Sequence, residues 1–194
     1  MNLAEIENYR KDLKIEEELC GHPLQFITTW GLFSPKSIDE GSRMLLDNMQ
    51  IRTNDTCLDI GCGYGPLGIT MAKQAPQGTS VMIDKDFVAI DYTKKNVQLN
   101  GLSNCEVFLS NGLAQVGKRK FSLITSNLPA KVGNEMLSLY MLDTFNHLES
   151  GGRFYVVTIS GMRKFIQRSF NEFFGNYKKI KQGKTYTVAM AVKD

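Results

Sequence analysis

A glycine-rich segment, residues 61–65, is the first place in the sequence where residue types and spacing suggest chemistry. It reads Gly-Cys-Gly-Tyr-Gly, between an apolar run at residues 56–60 and a helical pattern at residues 66–74. Glycines let the backbone turn tightly and approach a ligand closely. In open α/β sheets, ligands bind at the carboxyl ends of the strands, where the next helix begins. We therefore expect this segment to bind a ligand.

Two aspartates indicate which ligand this is. Asp59 lies two residues before the first glycine, and Asp84 ends the next strand-like run. A carboxylate at Asp59 suits a cationic aminoacyl group better than a diphosphate, and a carboxylate at Asp84 can accept hydrogen bonds from both hydroxyls of a ribose. Residues 63–68 also fit the G-x-G-x-x-G pattern of nicotinamide-dependent oxidoreductases. Asp59 disfavours that alternative, because a dinucleotide-binding fold places apolar residues there.

Strand-like and helical segments alternate along the chain, which predicts an α/β domain spanning residues 1–194. Such alternation indicates right-handed βαβ units and a mostly parallel sheet, and the turn at residues 182–184 adds a C-terminal antiparallel hairpin. The expected strands are 56–60, 80–84, 106–109, 121–125, 153–159, 177–181 and 185–192, and the helices between them are 66–74, 87–100, 133–148 and 162–174.

The N-terminal residues 1–50 are expected to form a helical extension packed on this domain. Apolar residues recur at roughly helical spacing over residues 3–19, which predicts an amphipathic helix. A second helix is predicted over residues 38–49, with Ser37 as its N-cap and Glu40 as the capping-box partner.

Composition excludes several classes of protein. The chain has 194 residues, and none of its apolar runs approaches the ~20 residues of a membrane span. It also lacks the basic start and apolar stretch of a secretory signal. Its four cysteines are widely spaced and it has only two histidines, so no metal site is expected. These observations predict a cytoplasmic protein with no membrane and no metal partner. The sequence does not indicate an oligomeric state.

Charge is distributed unevenly along the chain. Residues 1–50 carry five Lys or Arg against nine Asp or Glu, whereas residues 151–194 carry nine against two. A basic C-terminal end permits a surface that contacts a polyanion, although solvated lysines explain it equally well.

The segment from Leu58 to Gly65 resembles the first motif of the Rossmann-like S-adenosylmethionine-dependent methyltransferases, and residues 56–192 follow that family's order of elements. The resemblance implies a doubly wound, seven-stranded, mostly parallel sheet, with S-adenosylmethionine as cofactor and S-adenosylhomocysteine as product. The implied cofactor-binding residues are Asp59, Gly61, Cys62, Gly63 and Gly65 around the methionine part, Asp84 and Lys85 near the ribose, and Asn111 and Gly112 near the adenine.

The segment after the fourth strand, residues 126–131, resembles the substrate loop of amino-methylating relatives, which is Asn-Pro-Pro followed by an aromatic residue. Asn127 and Pro129 match, whereas Leu128 and Ala130 depart from the pattern. The resemblance implies that the Asn127 amide oxygen and the Leu128 carbonyl accept the N–H groups of a target amine. In those relatives the aromatic residue stacks on the base that carries the amine. Without an aromatic at position 130, another residue must provide this stacking. Candidate substrate-binding residues are Trp30, Phe33 and Lys131.

Two upstream segments, residues 28–34 and 38–46, are similar to segments of the small methyltransferase domain family, which includes enzymes that methylate guanine N2 in ribosomal RNA. This resemblance implies an N-methyltransferase acting on an rRNA guanine or another structured RNA. Three alternatives remain: a methyltransferase of a small molecule or a protein side chain, a cofactor-binding module without catalysis, and the oxidoreductase.

Overall fold

The computed structural model describes residues 2–129 and 132–194 of the chain. The helices are α1 (Leu3–Asn8), α2 (Glu40–Asn48), α3 (Pro66–Gln74), α4 (Phe87–Leu99), α5 (Asn134–His147) and α6 (Arg163–Phe174). The strands are β1 (Leu13–Leu19), β2 (His22–Thr28), β3 (Thr56–Ile60), β4 (Thr79–Asp84), β5 (Cys105–Leu109), β6 (Phe121–Asn127), β7 (Leu148–Ile159), β8 (Lys178–Gln182) and β9 (Tyr186–Val192).

Within the described residues, β3 to β9 form a seven-stranded sheet in the order β5-β4-β3-β6-β7-β9-β8. The first five strands in this order are parallel, while β9 is antiparallel to both β7 and β8. The predicted α/β class and C-terminal hairpin are therefore confirmed. The chain winds in opposite directions from β3, which has β4 on one side and β6 on the other. At such a switch point the connections leave a crevice at the carboxyl edge.

The central strand β3 explains where its aspartate lies. Side chains alternate between the two faces of a strand, so Leu58 and Ile60 pack into one hydrophobic core and Cys57 into the other. Asp59 has the parity of Cys57, which places its side chain on the face covered by α3. The residue is fully buried there.

The N-terminal extension is only partly helical: α2 lies within the predicted range 38–49, but the first predicted helix is not found. The helix expected over residues 3–19 is wrong, because α1 ends at Asn8 and β1 and β2 form an antiparallel hairpin. Buried Ile15 and Leu19 alternate with exposed residues, so the strand period fits this segment better than the helical period. The connecting turn places Cys20 at φ 51° and Gly21 at φ 77°.

The hairpin is attached to α4 by two asparagine side chains that complete its edge. The Asn96 amide accepts from the backbone N–H of Ile27 at 2.7 Å and donates to its carbonyl at 2.9 Å. The Asn100 amide makes the same pair of bonds with Gln25, at 3.0 and 2.7 Å. Each side chain thus imitates a neighbouring strand and holds the N-terminal segment over the glycine-rich loop.

The N-cap of α2 also differs from the prediction. The helix begins at Glu40 with Asp39 as its N-cap, and Asp39 Oδ2 accepts from the Ser42 N–H at 3.0 Å. Ser37, the predicted cap, lies outside the helix, and its carbonyl accepts from the Ser34 hydroxyl at 2.7 Å. Ser37 and Asp39 are two positions apart, and each has a side-chain oxygen that can cap a helix. The sequence pattern therefore does not show which of the two is the N-cap.

No helix in the described part of the chain is long and apolar enough to cross a membrane. The same residues contain no group of three or more His, Cys, Asp or Glu side chains arranged to hold a metal ion.

Candidate active site

A cavity of about 500 Å³ lies at the carboxyl edge of the sheet, at the switch point between β3 and β6. This volume is within the range of small-molecule binding sites. Its walls come from the glycine-rich loop, the ends of β4 and β6, and the segment that precedes α2. The lining includes Phe33, Asp39, Ser42, Gly61, Cys62, Gly63, Asp84, Lys85, Ser110, Gly112, Asn127, Leu128, Pro129, Tyr140 and Tyr186.

The glycine-rich loop needs its glycines mainly for backbone conformation. Gly61 and Gly63 have φ values of 74° and 58°, in the left-handed region that side chains disfavour. A Cβ built on either residue would meet nothing within 4 Å, so open space adjoins the backbone at these two glycines. Gly65 differs, because its Cβ would lie 2.9 Å from the Ile69 side chain. It caps α3 and does not line the cavity.

Asp84 lines the cavity and holds the loop in place. Its Oδ2 accepts from the Gly63 N–H and its Oδ1 from the Asp86 N–H, each at 2.9 Å. An ionised carboxylate offers about four lone-pair positions, so each oxygen can still accept another hydrogen bond. The side chain can therefore shape the loop and bind a ligand diol at the same time.

Asp59 lies behind the loop rather than on the cavity wall. Its Oδ2 accepts from the Gly68 N–H of α3 at 2.9 Å, while its Oδ1 is buried without a hydrogen-bond partner among the described residues. Burial raises the pKa of this carboxyl to about 7. A buried and partly unsatisfied carboxylate favours a positive charge nearby.

Asn127 ends β6 and presents its amide at the cavity. Its Nδ2 donates to Asp39 Oδ2 at 2.9 Å and to Ser42 Oγ at 3.0 Å, so both amide hydrogens are used. Within the described ranges nothing donates to its Oδ1, which is left as an acceptor. Leu128 follows, fixed by its backbone N–H to the Val157 carbonyl at 3.0 Å.

The predicted substrate-binding residues fall in different places. Phe33 is 65% exposed and lines the cavity. Trp30 does not line it, because its ring packs edge-on against Tyr9 at a centroid distance of 4.9 Å with Lys36 above it. Ala130 and Lys131 lie outside the described residues. Of the pair expected near the adenine, Gly112 lines the cavity, whereas the exposed Asn111 does not.

Among the lining residues that were not singled out from the sequence, three polar ones share a hydrogen-bond network with Asn127: Asp39, Ser42 and Tyr186. Asp39 and Ser42 lie in the segment used for the family resemblance, yet nothing local shows that they turn towards Asn127. Tyr186, whose hydroxyl donates to Asp39 Oδ1 at 3.1 Å, is 147 positions away from it. Only the folded chain brings these side chains together.

Comparisons with known proteins agree with this geometry. The family model described as methyltransferase small domain matches residues 23–190. The uncharacterized protein YbxB of Bacillus subtilis (strain 168) is 28% identical over 172 residues, covering 87% of this chain and 85% of that protein. Ribosomal RNA small subunit methyltransferase C of Hamiltonella defensa is 30% identical over 172 residues, covering 87% of this chain. The match spans only 50% of that methyltransferase.

A solved structure shares the fold. The T. thermophilus 16S rRNA N2 G1207 methyltransferase, in complex with AdoMet and guanosine, superposes with a TM-score of 0.84 at 23% identity. The superposition covers 93% of this chain and 50% of that one. The chain therefore belongs to the methyltransferase small domain family, a family of S-adenosylmethionine-dependent methyltransferases, as its motifs predicted.

Proposed function

We propose that this protein transfers a methyl group from S-adenosylmethionine to the exocyclic amine of a guanine in ribosomal RNA or another structured RNA. One observation carries the proposal: a single cavity contains both the Asp84 carboxylate with its glycine-rich loop and the acceptor end of the Asn127 amide. A cofactor end and an amine-binding end in one cavity are what such a transfer requires.

The residues at the Asp84 end of the cavity fit the cofactor. Asp84 keeps acceptor positions for two ribose hydroxyls, and the bare backbone of Gly61 and Gly63 allows close approach. The buried Asp59 carboxylate behind the loop favours the cationic aminoacyl end. The bound cofactor supplies an activated methyl group on a sulfonium. We assign the adenine side to Ser110 and Gly112.

The residues at the Asn127 end of the cavity fit an amine. An exocyclic base amine is a weak nucleophile, because its lone pair is delocalised into the ring. In our proposal Asn127 Oδ1 accepts one N–H and the Leu128 carbonyl the other. These two acceptors orient the nitrogen lone pair and stabilise the positive charge that develops on it. Phe33, exposed at the cavity, takes the stacking role that Ala130 cannot fill.

Charge and relatives both support RNA as the substrate. Two of the proteins that this chain resembles are ribosomal RNA methyltransferases. In this chain, α6 and β8 with the following turn form a basic surface, and none of its side chains pairs with a described acidic side chain. The basic surface consists of Arg163, Lys164, Arg168, Lys178, Lys179, Lys181 and Lys184.

One end of the basic surface, at the turn between β8 and β9, lies beside the cavity mouth. Ser160, just after β7, donates its backbone N–H to the Thr185 carbonyl at 2.7 Å, which holds the β8–β9 turn against the carboxyl edge. Lys184 is in that turn, two residues before Tyr186, which lines the cavity. Phosphates on this surface would bring a base towards Asn127. A cytoplasmic location, which we also propose, gives access to ribosomal RNA.

The test is to incubate the protein with methyl-labelled S-adenosylmethionine and separate pools of RNA, DNA, protein and metabolites. We expect label in RNA alone. Label in metabolites or protein would replace our proposal with the small-molecule or protein alternative. Cofactor binding without label in any pool would indicate a non-catalytic module, and NAD binding in place of the sulfur cofactor would contradict the cofactor assignment.

A further inference from the structure

Asp39 is the centre of a hydrogen-bond network that joins three separate parts of the chain. Its Oδ2 accepts from the Asn127 amide at 2.9 Å and from the Ser42 N–H at 3.0 Å. Its Oδ1 accepts from the Tyr186 hydroxyl at 3.1 Å. The carboxylate therefore links the start of α2 with the end of β6 and the start of β9. It holds three donors on its two oxygens.

Gly41 makes room for this network. A Cβ at that position would lie 2.9 Å from both Asp39 Oδ2 and the Tyr186 ring. Any larger residue would therefore push Tyr186 or Asp39 out of place. The space left by Gly41 lets the aromatic ring reach over the first turn of α2.

The network determines which way the Asn127 amide points. A carboxamide has two ends of nearly the same shape, one a donor and one an acceptor. If the amide flipped, its oxygen would face the Asp39 carboxylate, which accepts hydrogen bonds and cannot donate them when ionised. The Ser42 hydroxyl accepts the second amide hydrogen at 3.0 Å. A hydroxyl can also donate to an amide oxygen, so it is the Asp39 contact that disfavours the flipped state.

We propose that Asp39 is a positioning residue for methyl transfer, which acts by fixing the Asn127 amide with its oxygen turned to the target amine. The inference rests on the proposed function and deepens it. In this role Asp39, which also lines the cavity, acts through Asn127, and Tyr186 holds the carboxylate in the orientation that Asn127 needs. Fixing the acceptor before substrate arrives removes an ordering cost from the reaction.

Two substitutions at Asp39 separate positioning from helix capping. Asp39→Ser keeps a capping oxygen for the Ser42 N–H but is too short to reach the Asn127 amide. Asp39→Asn keeps one oxygen for Asn127 and Ser42, and its amide can donate to the Tyr186 hydroxyl. Asp47→Ser, at an exposed position of the same helix, is the matched control.

The experiment measures kcat and KM for RNA methylation, and the Kd for S-adenosylmethionine, in all four proteins. We expect Asp39→Ser to lower kcat by about 10- to 100-fold, as for losing one hydrogen bond to a charged group, with the cofactor Kd within about twofold. Asp39→Asn should restore most of kcat. Equal turnover in Asp39→Ser and the parent, or equal impairment in Asp39→Ser and Asp39→Asn, would overturn the inference.

A second measurement does not depend on activity. In ¹⁵N–¹H correlation spectra, the Asn127 side-chain NH₂ pair is identified as the one lost in Asn127→Ala. We expect Asp39→Ser to shift this pair and speed its hydrogen exchange, and Asp39→Asn and Asp47→Ser to leave it close to the parent. An NH₂ pair that is unchanged in Asp39→Ser would refute positioning, whether or not the protein methylates RNA. A protein that does not methylate RNA would refute the proposed function alone.

Discussion

Replacing Asp84 with alanine should weaken cofactor binding strongly while leaving the fold intact. The side chain lies at the end of β4 and accepts one protein hydrogen bond on each oxygen, from Gly63 and from Asp86. The remaining acceptor positions are those we assign to the two ribose hydroxyls. Alanine removes the ligand contacts and releases the Gly63 N–H, while the backbone N–H groups of Gly61 and Cys62 still donate to the Ile83 carbonyl of β4.

The size of the effect follows from the number of bonds lost. Hydrogen bonds to a charged group contribute about 1.5–3 kcal/mol each. Loss of one ribose bond corresponds to at least a tenfold rise in Kd, and loss of both to roughly 10²- to 10⁴-fold. The Asp86 N–H is exposed to solvent and adds little, whereas freeing the Gly63 N–H adds to the cost of ordering the loop.

Isothermal titration with S-adenosylmethionine and with S-adenosylhomocysteine measures this directly. Asp91→Ala is the control, because Asp91 is on the adjoining helix α4, is paired with Lys95 and does not line the cavity. Its Kd should equal that of the parent. A Kd for Asp84→Ala within twofold of the parent value, in a protein with unchanged melting temperature, would show that Asp84 does not bind the ribose.

Three further predictions concern the other parts of the site. Asn127→Ala should bind cofactor nearly as well as the parent but lower turnover by ~10²–10³, the usual value of one positioned hydrogen bond to developing charge; full turnover would exclude amine positioning. Alanine at both Lys181 and Lys184 should weaken RNA binding and reduce the salt dependence of log K by about two, whereas an unchanged slope would place RNA elsewhere. Asp59→Asn should stabilise the fold increasingly as pH rises from about 4 through 7, because burial raises the pKa of Asp59 to about 7 and ionisation of the parent carboxyl then costs stability. Urea unfolding of both proteins at pH 5 and pH 8 checks this, and an equal gain in the free energy of unfolding at the two pH values would contradict it.

Local sequence patterns were sufficient for the central part of the fold. The apolar run of β3, the glycines after it and the start of α3 at Pro66 are adjacent in sequence, so their order predicts their arrangement. Asp84 and Asn127 each end a parallel strand, and the carboxyl ends of such strands meet at one edge. Burial of Asp59 follows from strand parity, since it shares the side of buried Cys57.

Other features depend on contacts between distant residues. The apolar spacing at residues 3–19 fits a helix or a strand, and the hydrogen bonds from Asn96 and Asn100 complete the edge of the hairpin. The Asn127–Asp39 contact joins positions 88 apart, and the Tyr186–Asp39 contact joins positions 147 apart. No local pattern encodes such pairings, which is why Asp39 entered the site only with the structure.

The central claim is that the methyl group is transferred to an exocyclic amine held by Asn127. The most direct test is mass spectrometry of nucleosides from unmodified ribosomal RNA treated with the protein and methyl-labelled S-adenosylmethionine. We predict labelled N2-methylguanosine, absent when Asn127→Ala replaces the parent protein. Label on a ribose oxygen or a base carbon, or labelled N2-methylguanosine formed equally by Asn127→Ala, would contradict the account.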